Sequence, residues 1–517
     1  MSLPIVRMCL IAVMIGSTFS LAFCQRATMD WWRRFDGPFH GSDILTDMKL
    51  HPSGIVLTGR WSGNPAGSDT GTILYRPNGQ IAWIAHKPPL NCCLNHAIAL
   101  DVDDAGRVLV AGYQDNADRV SDLFIVSYDA EGREEWRTVY DSPYGFHEVV
   151  HDLALDSSGA VYVAGEAYYD IEGRRAWLVA KFDRQGRLLW EQIRLPSPPV
   201  TISSNAMQLA VDKVRDRVYV SGSFTNGFDD EFVAQGRTLS VVRIDPSNGS
   251  IIWENRDAGP TGRGGSPFRI AVAKDGSLYG WTSIFVIYNN GWQRTGGLAT
   301  RWTAEGDTVF YRLDQSEDPR RHSIGYPNAT LSEQGSLVLG GFHRNDTLVS
   351  KIDQSGVFSW RNIYYFSTSD NYCQSVATDI AGNAFIAINV HSDEEIDAGA
   401  ARLYPDGRLA WYRVYRGAAR NVDNANQVVI DGKGGVYIGG STVHQWSSIS
   451  DWLLIRYCDP IADADGNGLV DMRDLEIVLE TFGTADARAD LNQDGIVDDL
   501  DLSWALAFFG SHCVPEN

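Results

Sequence analysis

"DSSGAVYVAG", Asp156 to Gly165, and "FDRQGRLLW", Phe182 to Trp190, decide how this chain folds, because close copies of both run along most of its length. The first is a four-residue turn led by Asp and closed by Gly, running into a strand rich in Val and Tyr. The second is a strand end, another Gly turn, and a strand closed by Trp. Between residues 44 and 458 the pair recurs about every 50 residues, and self-similarity on that scale dictates a repeat architecture.

The first turn is met again as "HPSGIVLTG" at His51, "DDAGRVLVAG" at Asp103, "DKVRDRVYVSG" at Asp212, "KDGSLYGW" at Lys274, "SEQGSLVLGG" at Ser332, "DIAGNAFIA" at Asp379 and "DGKGGVYIGG" at Asp431. The second returns in strands that end at Trp83, Trp136, Trp253, Phe310, Trp360 and Trp411. Eight first turns therefore face seven second turns. The missing strand lies at the opposite end of the chain, where "WWRRFDGPF" from Trp31 matches "WRTVYDSPY" from Trp136 and completes the last unit after "DWLLIRYC". The expectation is a mainly β chain: an eight-bladed β-propeller of four-stranded antiparallel blades over 29–458, closed by its N-terminal strand so that no sheet edge is left at the seam. Seven blades is the alternative if one weak unit is an insertion. The Trp residues that end the blades are expected to pack between blades rather than form a sugar-stacking platform.

The chain has 517 residues, 44% of them apolar, enough for one large core and a small second domain. Arg7 followed by an apolar run from Met8 to about Phe23 marks residues 1–24 as a secretory signal peptide, with cleavage between Ser20 and Ala27. Phe23 stands where a lipidated Cys24 would need a small neighbour. No membrane span is expected, and secretion to the cell surface or beyond is. Cys92, Cys93, Cys373, Cys458 and Cys513 then meet an oxidising compartment, and an odd count leaves at least one thiol over or pairs it between chains. The net charge of −21 is uneven: from Asp459 onward 14 acids face only Arg473 and Arg488. Nothing offers the basic patch that nucleic acid requires, and the local acidity points to bound cations.

That acidity is patterned. "DADGNGLVDMRD" places Asp463, Asp465 and Asn467 at positions 1, 3 and 5, Gly468 at 6, Leu469 at 7, Asp471 at 9 and Asp474 at 12. "DLNQDGIVDDLD" repeats it with Asp490, Asn492, Asp494, Gly495, Ile496, Asp498 and Asp501. In a calcium loop, alternate side chains converge oxygens on one centre, Gly allows the sharp turn, and position 7 offers its carbonyl. Two calcium ions are expected. After each loop an amphipathic helix follows, in which Leu475, Leu479 and Phe482 match Leu502, Leu506 and Phe509 as the stripe that packs the halves together, with Gly483 and Gly510 as stops.

Three other groupings are weighed. "HEVVH", His147 to His151, spells a zinc-protease motif, but it runs into a strand, where residues four apart stand roughly 13 Å from each other. "NCCLN" holds Cys92 and Cys93, which either form a strained adjacent pair or give one partner to Cys373. His96, His151, Asn205 and Asn424 stand where strands begin and could rim one mouth of the channel. No catalytic residue is assigned.

The turn repeats resemble bacterial secreted propeller repeats, including those of quinoprotein-type families. The duplicated loop and helix from Asp459 to about Cys513 resembles a type I dockerin. That second resemblance implies an all-α calcium-dependent docking domain over 459–517 and a cohesin-like or cell-surface protein partner. Positions 10 and 11, where the family carries a small hydroxyl pair, hold Met472 and Arg473 in one copy and Asp499 and Leu500 in the other. Cys458 and Cys513 bracket the module and are expected to form a disulfide across its ends. The resulting expectation is a non-enzymatic binding or scaffold propeller, taking a carbohydrate or protein ligand. A polysaccharide-active hydrolase or lyase is the alternative, and a quinone-dependent dehydrogenase a more distant one.

Overall fold

The computed structural model describes residues 27–64, 67–87, 94–116, 120–195, 203–225, 237–257, 268–287, 293–314, 324–392, 395–417, 422–443 and 449–512. The expected signal segment, Cys92, Cys93 and Cys513 lie outside them.

Each repeat is a four-stranded antiparallel meander, or propeller-like blade. Blade one comprises Ile44–His51, Gly54–Asn64, Gly67–Tyr75 and Ile81–Lys87. The pattern continues through blades beginning at Asn95, Glu148, Ser203, Arg269, Ile324 and Asn371. The eighth is built from Val422–Ile430, Gly435–Val443 and Ser450–Cys458, and its fourth strand is Thr28–Phe35, antiparallel to the last of these from Thr28 opposite Cys458 to Phe35 opposite Trp452. The strand missing from the repeat count is thus the N-terminal one.

The turns form for local reasons. In Asp156–Gly159 the Asp156 carboxylate takes the amides of Ser158 and Ala160 at 2.9 and 3.0 Å, and Gly159 adopts a φ of 79°, a region that disfavours any side chain. The second turn is used by the neighbouring blade. Trp136 lies against Gly186 so closely that a Cβ there would meet the ring at 2.4 Å, and its indole N–H donates to the Arg184 carbonyl at 2.9 Å. Trp83, Trp190, Trp253 and Trp360 do the same to the turns of their own next blades, and Trp31 donates to the Pro77 carbonyl at 2.8 Å, from blade eight to blade one. Inter-blade packing is what these aromatics do.

The cores repeat that order. Each cluster of buried side chains is shared by two consecutive blades, and one joins Tyr437, Trp452 and Leu454 of blade eight to Leu45, Ile55 and Ile73 of blade one. Toward the centre a polar chain runs between the first strands of adjacent blades. Asp47 accepts the Leu100 amide at 3.0 Å, Asp152 the Leu209 amide at 2.8 Å, and Gln208 the Ile270 amide at 2.8 Å, while Gln427 donates to Asp47 at 3.2 Å. Asp47 and Gln427 of this polar chain also line a central cavity of about 450 Å³, together with Lys49, Asp101 and Ser375.

The chain leaves blade eight at Asp459, the position from which other blades enter their second turn. It continues instead into two short helices, α1 (Met472–Glu480) and α2 (Asp499–Ala507). This segment does not hang from the propeller-like body. Ile461, Ala462, Val478, Trp504 and Phe508 share one buried cluster with Phe385, Trp411 and Tyr457 of blades seven and eight. No helix among the described residues is long and apolar enough to cross a membrane.

Candidate metal centres

The acidic loops are ordered by their own side chains. In the first, Asp463 accepts the amides of Gly466, Asn467 and Gly468 at 2.8, 3.1 and 2.8 Å, and Asp465 takes the Asn467 amide at 3.0 Å. Asn467 in turn accepts the Leu469 amide at 2.7 Å. Asp474 is fully buried and holds three amides: Ala464 and Asp465 on one oxygen, Asp471 on the other. Asp471 caps α1, taking the Arg473 amide at 2.7 Å. Oxygens of Asp463, Asp465 and Asp474 lie within 4.8 Å of one another.

The second loop repeats most of these bonds, except that the Gln493 amide donates to the Asp490 backbone carbonyl where Gly466 donates to the Asp463 carboxylate. Asp490 accepts Asp494 and Gly495, Asn492 accepts Asp494, Asp494 accepts Ile496, Asp501 holds Leu491, Asn492 and Asp498, and Asp498 caps α2. Gly468 and Gly495 take φ of 86° and 103°, which explains Gly at position 6 in both copies. The copies are tied crosswise. Val470 of the first loop exchanges backbone hydrogen bonds with Ser511 and Gly510 after α2, and Val497 of the second with Gly483 and Thr484 after α1.

Burial raises the pKa of Asp463, Asp490 and Asp501 despite the amides that pull it down, with Asp474 adding repulsion at Asp463 and Asp494 at Asp490. An all-oxygen donor set, partly desolvated and crowded with like charge, fits a hard divalent cation.

The helical stripe is arranged otherwise than its period suggests. Leu475 is buried, but Leu479, Phe482, Leu506 and Phe509 are 57%, 46%, 59% and 49% exposed. The halves and the body meet instead through Ile477, Val478, Trp504, Ala505 and Phe508, with Leu502 partly covered. Both short helices carry two apolar stripes, and the inner one is chosen by the body they lie on.

The remaining candidates resolve plainly. Glu148 and His151 lie on the strand Glu148–Leu155, so the zinc-protease spacing is not helical. His147 accepts the Ser121 amide at 3.0 Å, and burial with nearby Arg175 lowers His151 to about 4. His96 meets the Tyr113 hydroxyl at 2.9 Å and burial with Arg60 lowers it to about 4. Asn424 approaches Ser441 at 3.5 Å, and Asn205 is described only as a strand position. Cys373 is a free, buried thiol pushed up to about 12, which removes the pairing of Cys373 with Cys92 or Cys93. Its side chain is walled in by the sheet, which strand patterning alone does not show. Cys458 is disulfide-bonded, and its sulfur lies 3.7 Å from the carbonyl oxygen of His512, the residue before Cys513.

No family model matches the chain, and no curated protein matches it. Among solved structures it is similar to Sqt1 from Chaetomium thermophilum, at 10% identity and a TM-score of 0.48 over 84% of this chain and all of that one. It is also similar to the polysaccharide lyase Uly1, at 10% and 0.43 over 70% and 89% of the two chains. A third likeness is to a GH93 alpha-L-arabinofuranosidase of Fusarium graminearum, at 11% and 0.38 over 56% and 87%. Likenesses this shallow transfer no activity to this chain.

Sequence patterning missed two carboxylate groups at the joins of blades, one of Asp36, Asp43 and Asp451 and one between blades two and three. Asp122, Asp141 and Glu148 bring oxygens within 4.8 Å of one another at the join of blades two and three. Only an alignment of the repeats by strand position, one under another, could have brought these three together.

Proposed function

We propose that the chain is a secreted, non-enzymatic eight-bladed β-propeller whose acidic C-terminal segment is a dockerin-like module, holding two calcium ions and attaching the propeller to a protein partner. The observation that carries this reading is the pairing of two acidic loops of matching bond pattern with two matched apolar pairs, Leu479 with Phe482 and Leu506 with Phe509, left exposed beside them. Matched apolar side chains on a calcium-ordered frame are a docking surface for a protein. When bound, calcium would be held by Asp463, Asp465, Asn467, the Leu469 carbonyl and Asp474, with Asp471 completing the set. In the second loop Asp490, Asn492, Asp494, the Ile496 carbonyl, Asp498 and Asp501 take those places. The ion neutralises carboxylates that otherwise repel one another, which couples binding to order in this segment.

The module sits on the face that carries the Gly turns, because it starts where a turn would be. The opposite face, which carries turns such as Tyr169–Arg174 between second and third strands, is where a carbohydrate or protein ligand would bind. The reading of a polysaccharide-active enzyme needs a free pair of acids at the channel. Asp47 and Asp101 line the central cavity, but each accepts an amide of the next blade.

The test is hydrogen exchange on the full chain with calcium and with a chelator. Calcium is expected to slow exchange across 463–511 at millimolar concentration or below, and unchanged exchange there would overturn the calcium-module reading.

A further inference from the structure

Two joins between blades carry a trio of carboxylates in the same register. Asp36, Asp43 and Asp451 meet between blades eight and one, and Asp122, Asp141 and Glu148 between blades two and three. In each, one acid is the second residue of a third strand, one directly follows a fourth strand, and one stands at the start of the next blade's first strand.

The two trios handle their charge differently. Arg34 contacts Asp451, and Asp43 accepts the Gly37 and Ser62 amides at 2.5 and 3.1 Å. Between blades seven and eight the same place is served by Arg416, 3.4 Å from Asp397, and by the Gly417 amide, 2.8 Å from Asp423. In blade one His86 sits 2.7 Å from Asp69. Between blades two and three these cations are gone: Val139 stands in register with Arg34, and Asp141 with Arg416. Arg137, close in sequence, pairs with Glu134 instead at 3.2 Å. Among the described residues no Lys or Arg forms an ion pair with any of the three acids.

Glu148 makes the deficit acute. Its side chain is fully buried and neither carboxylate oxygen accepts a hydrogen bond. Ser142, which replaces Gly37, comes near enough to draw its pKa down, but burial dominates and raises it to about 7. A buried carboxylate without a partner is costly, and it faces two more acids, one of them, Asp141, open to solvent. His147 Nδ1 is engaged with the Ser121 amide, and the donors of the trio are all oxygen, which favours calcium over zinc.

We infer that Asp122, Asp141 and Glu148 bind a divalent cation of the calcium type, replacing the arginine of the equivalent joins and clamping blade two to blade three. The site is separate from the C-terminal loops, and its ion adds to theirs.

Equilibrium dialysis of the full chain against calcium, with metal counted per chain, tests this. Three ions are expected in the native protein, and two in Glu148→Gln and in Val139→Arg, which places an arginine where Arg34 stands at the join of blades eight and one. If the C-terminal reading failed alone, the count would be one, falling to none in both variants. Counts that both variants leave unchanged would overturn the site, and show that Glu148 is neutralised by a proton. Should Glu148→Gln fail to fold, Val139→Arg decides, since its arginine supplies the missing charge; retention of the ion in it defeats the proposal.

Discussion

Two joins between blades use the same tryptophan differently. Trp136 crosses from blade two to blade three and donates to a neutral backbone carbonyl of the next second turn. Trp411 makes the same reach from blade seven, but blade eight has no second turn. Its indole meets the Asp459 carboxylate at 2.8 Å, which Arg402 also holds at 3.0 and 3.2 Å, with all three side chains buried. Where the repeat is intact, a neutral hydrogen bond suffices. Where the chain departs into the C-terminal segment, a buried ion pair stands in for the turn, and Arg408 adds donations to the Gln493 and Asn492 carbonyls of the second acidic loop.

The difference can be broken at its charged end first. Arg402→Ala leaves Asp459 buried and unpaired, which costs about 3–5 kcal/mol. Thermal unfolding should show the loss, with hydrogen exchange rising first in 459–512. Arg402→Met, apolar and of similar length, should be as damaging, because the carboxylate remains. Equal stability of Arg402→Ala and the native chain would mean that the pair does not hold the segment.

An intact join responds to pH through His96. Burial and Arg60 hold this ring at about 4, well below its ordinary value. Between pH 6.5 and 4 the unfolded chain takes up a proton that the folded chain refuses, so stability falls as pH falls through that window. His96→Gln should remove roughly 1–3 kcal/mol of that acid loss, after allowing for its partial exposure. Asp43 and Asp152, raised to about 6 mainly by burial, push the other way, so the variant must be read against the native chain at each pH. Parallel melting curves for both proteins from pH 7 to 4 would contradict the assignment.

The smallest effect is expected at the neutral latch. Trp136→Phe keeps most of the ring against Gly186 and loses the indole N–H, for about 1 kcal/mol. Phe310 already stands at one such position, packed on Gly356, which indicates that the ring matters more than the N–H. A loss as large as that of Arg402→Ala would erase the distinction between the two kinds of join.

The blades were legible because turn chemistry is local: Asp at the start, Gly in the left-handed region and Trp at a fixed distance leave marks within ten residues of each other. The acidic loops were legible for the same reason, since the carboxylate-to-amide bonds that shape each close within twelve positions. Helix facing was not, because Leu479 and Val478 are both apolar, and which is buried depends on Trp411 and Tyr457 far back in the chain. The trio of Asp122, Asp141 and Glu148 escaped because it spans two blades, and because the zinc-protease spelling groups Glu148 with His147 and His151, its neighbours in sequence, rather than with the acids beside it in space.

Blade eight takes three strands from one end of the chain and its fourth, Thr28–Phe35, from the other. Its pairing therefore spans nearly every residue between them, and it waits on the last blade to be made. Contacts of such sequence separation are slow to form. Until they do, Ser450–Cys458 keeps an unpaired edge, the kind of surface that recruits other chains. Thr28–Phe35 covers that edge once it pairs, so the interval before pairing is the period of greatest exposure to aggregation.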